Sequence, residues 1–140
     1  MVSFTNEQRT FLLTDTRTGK LATVRKDGRP HIAPIWFDLD GNTLVFNTGE
    51  TTVKGNNIRR DARVSLCVDD QTPPFSFIII EGITELIDDP TALRYWAARI
   101  GGRYMGANRA EEYGKRNGVE GELLVRVTPT KITFQTNIAV

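Results

Sequence analysis

Cysteine and histidine are nearly absent from this 140-residue chain, which has one of each, Cys67 and His31. A lone cysteine forms no internal disulfide, and one Cys with one His falls short of a zinc ligand set. A Cys–His catalytic pair would need the two singletons to meet. No metal site is therefore expected, and no side chain stands out as a nucleophile or catalytic base. Charge of one sign is not in excess either. Lys plus Arg number 18 and Asp plus Glu 17, for a net charge of +1. That balance excludes a globally basic nucleic-acid binder and a strongly acidic tail protein. Long apolar runs are missing: the longest, Phe75 to Ile80, is interrupted by Ser76 and falls far short of a membrane span. The first residues have neither a basic start nor an apolar core of signal-peptide length, so a cytoplasmic protein is expected, with neither membrane nor nucleic acid as partner.

What is present is an ordinary globular composition, 39% hydrophobic and 25% charged. The length suits one domain over residues 1–140. Thr5 to Gln8 fits a capping box at the start of a helix running to about Asp15. Two Asp-Gly pairs, Asp27-Gly28 and Asp40-Gly41, then separate the strand-like runs Lys20–Lys26, His31–Leu39 and Thr43–Thr48. Asp-Gly supplies the positive φ that tight hairpins need, so these three runs form an antiparallel meander. Thr51–Asp61 reads as a short basic helix, Arg63–Val68 as an alternating fourth strand, and Phe75–Ile87 as a long fifth strand in which Gly82 marks a bulge or bend. Asp89-Pro90 starts a helix whose apolar face is Leu93, Trp96, Ala97 and Ile100 and which Gly101-Gly102 ends. A further helical segment is predicted over Tyr104–Lys115. Gly121–Val127 and Lys131–Thr136 complete the chain, kinked at Thr128-Pro129. The expected fold is mainly β with inserted helices, a six-stranded small barrel.

Thr48 to Asp61 follows a strand and opens a helix, with hydroxyls, amides and Lys54 at its start. A helix N-terminus carries free N–H groups and positive charge density, which suits a phosphate; the same residues also describe a capped helix with a solvated basic face. His31 begins a strand just past a turn, and a lone histidine there is more often a surface or packing residue than a catalyst. Trp36 and Phe37 lie on opposite faces of that strand, so one enters the core and the other is free to cover a planar ligand or a subunit interface. Phe75 and Phe77 pose the same choice. Cys67 reads as packed or half-exposed, and Glu81 must be exposed or paired. With a plausible anion cradle but no acid–base set, the protein either binds something or leaves the chemistry to a cofactor.

The ordered motifs Gly19–Val24, Asp27–Phe37, Phe46–Thr48, Lys54–Leu66 and Phe75–Leu86 resemble the pyridoxamine 5′-phosphate oxidase-like split-barrel superfamily, and most closely its deazaflavin branch. The resemblance implies a six-stranded split β-barrel, a homodimer with two cofactor sites at the subunit interface, and a flavin or deazaflavin ring against the strand holding His31, Pro34, Ile35 and Trp36. It implies a phosphate near Asn47, Thr48, Thr51, Thr52, Lys54 and Asn57, with Arg60 and Phe77 also near the cofactor. Pyridoxamine phosphate oxidases themselves are longer and carry an Arg-x-Val-Leu-Leu-Lys strand. The aligned His31–Phe37 stretch has neither Arg nor Lys, which weighs against vitamin B6 chemistry. The expected activity is hydride transfer between coenzyme F420 and a small organic acceptor, with no catalytic side chain. The alternatives are an FMN-binding oxidase or reductase of the same superfamily, and a non-catalytic cofactor carrier.

Overall fold

The computed structural model describes residues 2–140. In chain order the elements are α1 (Asn6–Leu13), β1 (Gly19–Val24), β2 (Pro30–Ile35), β3 (Asp38–Asp40), β4 (Thr43–Gly49), α2 (Val53–Arg60), β5 (Arg63–Asp70), β6 (Ser76–Ile87), α3 (Pro90–Met105), a 3₁₀ turn (Ala107–Arg109), α4 (Ala110–Asn117) and β7 (Glu122–Gln135). All seven strands belong to one antiparallel sheet in the order β2-β1-β5-β6-β7-β4-β3.

That order dictates a barrel. β2 and β3 are the two edges of the sheet, yet only Trp36 and Phe37 separate them in the chain. Laid flat, six strand spacings would part the edges by about 29 Å. The three peptide steps from Ile35 to Asp38 reach about 11 Å at most. The sheet must therefore curl until its edges meet. The single run expected over His31–Leu39 is in fact broken at Trp36-Phe37 to seam the barrel, which makes the strand count seven rather than six.

Period-2 alternation fills the interior. β1 reads buried, half-buried, buried from Gly19 onward, and β5 buries Val64, Leu66 and Val68 while Ser65 and Cys67 face outward. Phe37, Leu44, Phe46, Ile78, Ile80, Val125 and Val127 complete the core with Leu12 of α1, whose N-terminus carries the expected capping box at Thr5. Gly28 (φ +88°) and Gly41 (φ +58°) adopt the left-handed conformations required by the two Asp-Gly turns. Gly82 does sit at a register shift between β6 and β7. It pairs with Pro129 while Glu81 pairs with Lys131, leaving Thr130 out of the ladder. β7 runs through this irregularity as one strand.

Two local expectations are corrected. Gly101-Gly102 does not end α3, which continues to Met105 and stops at Gly106 (φ +113°). A Cβ on Gly101 would lie 2.1 Å from Cβ of Tyr113, and one on Gly102 2.9 Å from Cβ of Ala110, so these glycines let α4 lie against α3. Phe75 is not in the fifth strand; it turns at φ +69° just before it. The expected apolar face of α3 is buried within the chain at Leu93, Ala97 and Ile100 and half-buried at Trp96. No helix among the described residues is long and apolar enough to cross a membrane.

Candidate functional site

The seam at Trp36 creates a cleft of about 320 Å³. Pro34, Ile35 and Trp36 form its apolar wall. Asn47, Thr48 and Gly49 come from the end of β4, Thr52 and Lys54 from the start of α2, Asn117 from the end of α4, and Glu122 from the start of β7. Strand pairing fixes this convergence, because β4 and β7 run antiparallel with Thr48 opposite Leu123 and Gly49 opposite Glu122.

The turn from β4 into α2 is tightly held. The Thr52 hydroxyl donates to the Gly49 carbonyl at 2.8 Å and accepts from the Gly55 N–H at 3.0 Å, capping the helix. It also lies 3.1 Å from the buried Thr48 hydroxyl. A Cβ on Gly55 would lie 2.4 Å from the Gly49 carbonyl oxygen, so only glycine allows the helix to start this close to the strand end. Lys54 thereby projects into the cleft at the positive end of α2. Among the described residues it enters no ion pair.

The aromatic wall is held from behind. Trp36 stacks on Tyr104 with centroids 5.1 Å apart and planes 5° from parallel, and meets Tyr113 edge-on at 5.9 Å. Tyr104 is pinned in turn: its hydroxyl donates to the Arg17 carbonyl at 2.8 Å and accepts from Arg103 at 3.0 Å. Burial pushes its phenol above the usual tyrosine range, so it stays neutral. Phe37, on the other face of the break, is fully buried in the core, and Arg103 lies over its ring.

Across the first turn of α2 lies a second, wider groove of about 620 Å³ lined by Arg25, Lys26, Asp27, Arg29, Val53, Asn57 and Arg60. Four cations there face one carboxylate. Asn57 is buried and donates to the Thr23 hydroxyl at 2.9 Å, and Arg60 donates to Asn57 at 3.1 Å and to the Val24 carbonyl. Val53 lines the groove and Lys54 the cleft, so one helical turn separates the two.

Of the residues expected near a cofactor, the structure brings together Pro34, Ile35, Trp36, Asn47, Thr48, Thr52 and Lys54 in the cleft. Asn57 and Arg60 fall in the basic groove instead. Thr51 is exposed on the turn between the two. His31 is half-buried opposite Thr23, outside both depressions, with Nδ1 buried and unpartnered. Phe77 lines neither depression and pairs with Asp69 and Gln135 in the sheet. Sequence reasoning passed over Glu122, Asn117 and the hairpin cations Arg25, Lys26 and Arg29. The cations were legible as a charged turn, but only the packing of α2 on β1 and β2 turns them into a groove wall.

A sequence model of the family Pyridoxamine 5′-phosphate oxidase matches residues 4–136. The chain belongs to this family. Solved structures agree in fold over nearly the whole chain. A conserved hypothetical protein of Mycobacterium tuberculosis is 24% identical with a TM-score of 0.83, over 100% of this chain and 90% of that one. A structure described as an F420 reductase is 29% identical with a TM-score of 0.69, over 89% and 94%. A FAD-binding protein of Mesorhizobium loti is 18% identical with a TM-score of 0.67, over 94% of each chain. The seamed barrel described above is thus the split barrel of the pyridoxamine 5′-phosphate oxidase family.

Proposed function

We propose that this split-barrel protein is a homodimeric oxidoreductase that uses a deazaflavin, coenzyme F420, to reduce a small planar organic acceptor. The observation that carries the reading is the pairing of the Lys54 cleft with the basic groove across one turn of α2. The cleft combines an apolar, aromatic-backed wall with a free ammonium at a helix N-terminus, a fit for a planar ring joined to a phosphate. The groove beyond, with Arg25, Lys26, Arg29 and Arg60, fits a charged extension past the phosphate. FMN has no such extension and the deazaflavin coenzyme has an oligoglutamate tail, so the groove favours the latter. The 29% identity to a protein described as an F420 reductase points the same way.

When bound, the reduced deazaflavin supplies the hydride. The chain's own work is binding and orientation: Lys54 holds the anion, Trp36 sets the plane of the ring, and the apolar wall limits water at the reacting face. No side chain acts as an obligatory acid in this reading. Domain 1–140 serves as one cofactor-binding unit, with a second copy covering the outer face of β2, where Pro30, Ile32 and Pro34 are exposed and Ile32 is 67% accessible. Pro34 also lines the cleft, so that contact would complete the site.

Purified protein titrated in parallel with coenzyme F420 and FMN tests the reading, with tighter binding of the deazaflavin expected. Tighter FMN binding would reverse the cofactor assignment. Turnover of a conjugated acceptor by the reduced complex separates an enzyme from a carrier.

A further inference from the structure

Glu122 opens β7 opposite Gly49, and its side chain forms part of the cleft wall. Its Oε2 is buried and meets no hydrogen-bond partner. Buried acceptors are nearly always satisfied, so an unmet one in a cleft wall marks a place for a ligand donor. Burial raises the carboxyl above the usual glutamate range, while the Asn47 side chain and the Lys54 charge pull it partly back. Lys54 acts here through its field alone, since the two groups form no contact ion pair. The strand pairing at this position uses only backbone groups, so the fold does not need a carboxylate here.

Two opposite charges in one small cleft restrict what can lie between them. A phosphate beside Glu122 would be repelled by it, and an ammonium would be repelled by Lys54. A neutral O–H or N–H donor, carried on a molecule whose anion is at Lys54, suits both. Glu122 shares the cleft's polar lining with Asn47 and Asn117, and Asn47 donates to the Asn117 carbonyl at 3.3 Å.

We infer that Glu122 is a specificity-determining residue that accepts a hydrogen bond from a hydroxyl on the linker between the ligand's phosphate and its ring. The cleft then selects a polyol phosphate over an alkyl phosphate of equal length. The inference rests on the cofactor reading above, which places the anion at Lys54 and the ring at Trp36.

The test compares FMN, an FMN analogue whose linker is an unhydroxylated alkyl chain, and FMN methylated at the ring imide nitrogen. Affinities are measured on the wild type and on Glu122→Leu. The wild type is expected to bind FMN at least tenfold more tightly than the alkyl analogue, and Glu122→Leu to narrow that ratio below threefold. Glu122→Met, similar in length and with only a weakly accepting thioether, serves if the leucine variant does not fold. An unchanged ratio in the variants overturns the inference, while tighter binding of coenzyme F420 than of FMN by the wild type preserves the cofactor reading. Loss of affinity on ring methylation that the variants abolish also overturns it, by giving Glu122 the ring donor instead. No preference in the wild type overturns it without any variant. Failure of wild type to bind FMN and coenzyme F420 alike defeats both readings together.

Discussion

Trp36 and Tyr104 lie face to face, 5.1 Å between ring centroids, although 67 positions separate them in the chain. Trp36 belongs to the seam of the barrel and Tyr104 to the last turn of α3, so this contact ties the helical layer to the cleft wall. An aromatic pair contributes about 0.5–1.5 kcal/mol beyond its buried area. Tyr104→Leu should therefore lower stability by at least that amount and loosen Trp36. Tyr104→Phe keeps the stack and loses only the hydroxyl's bonds, about 0.5–1.5 kcal/mol for each. Denaturant unfolding gives the two stabilities, and tryptophan fluorescence anisotropy reports on ring mobility. Equal anisotropy in wild type and Tyr104→Leu would show that the stack does not hold the ring.

Lys54 is the cation of the cleft. Removing a hydrogen bond to a charged group costs about 1.5–3 kcal/mol, so Lys54→Ala should weaken FMN and deazaflavin binding by that amount while the melting temperature hardly moves. Unchanged affinity for both would place the phosphate elsewhere.

Gly55 is a test of geometry without charge. Its missing Cβ leaves room for the Gly49 carbonyl, which would otherwise be 2.4 Å away. Gly55→Ala should lose about 1–3 kcal/mol, the range for overpacking a tight site, despite alanine's better helix propensity. A stability gain on chemical denaturation would show that the turn relaxes freely.

Much of this architecture was legible in the chain. The Asp-Gly turns, the alternation of Val64, Leu66 and Val68 and the caps at Thr5 and Asp89 each act over a few residues, and all three appear as expected. The misses come from long-range packing. Gly101-Gly102 looks like a helix stop until Tyr113 and Ala110 are seen against it. The run His31–Leu39 has no local breaker at Trp36; only barrel closure demands one there. The site followed the same rule. Lys54 and Trp36 were visible as residue types, whereas Glu122 became part of the cleft through a β4–β7 pairing that no local pattern announces.

Glu122 also sets a pH dependence. Its carboxyl titrates above the usual range in the folded protein because burial disfavours the anion. The folded state therefore binds a proton that the unfolded chain releases between the ordinary glutamate pKa and the raised one. Stability from this group is present at acid pH and is lost as pH rises through that window. Glu122→Gln should thus raise the melting temperature of the ligand-free protein at pH 8 and gain progressively less as pH falls toward 4. A gain that is constant over that range would mean that the carboxyl is not perturbed by folding.

Arg59 and Arg60 are neighbours in sequence but not in role. Arg59 donates to the Glu50 carbonyl and to Asn56, both at 3.1 Å, outside the groove, whereas Arg60 lines it. Arg29 is partly neutralised by Asp27 at 2.8 Å, and Arg25 and Lys26 form no ion pair among the described residues. A charged tail leaving the cleft past α2 would therefore meet Arg25, Lys26 and Arg60 first. Exposed contacts of this kind are individually weak, about 0–1 kcal/mol each, and screened by salt. Reversing Arg25 and Lys26 to Glu together should weaken coenzyme F420 several-fold and FMN hardly at all, with the difference shrinking as ionic strength rises. Arg59→Glu should have a smaller effect, and Arg60→Glu should also disturb folding, because its guanidinium holds the Val24 carbonyl and Asn57. Equal losses for both ligands in the Arg25/Lys26 variant would show that the groove acts only through its general field and that no tail runs along it.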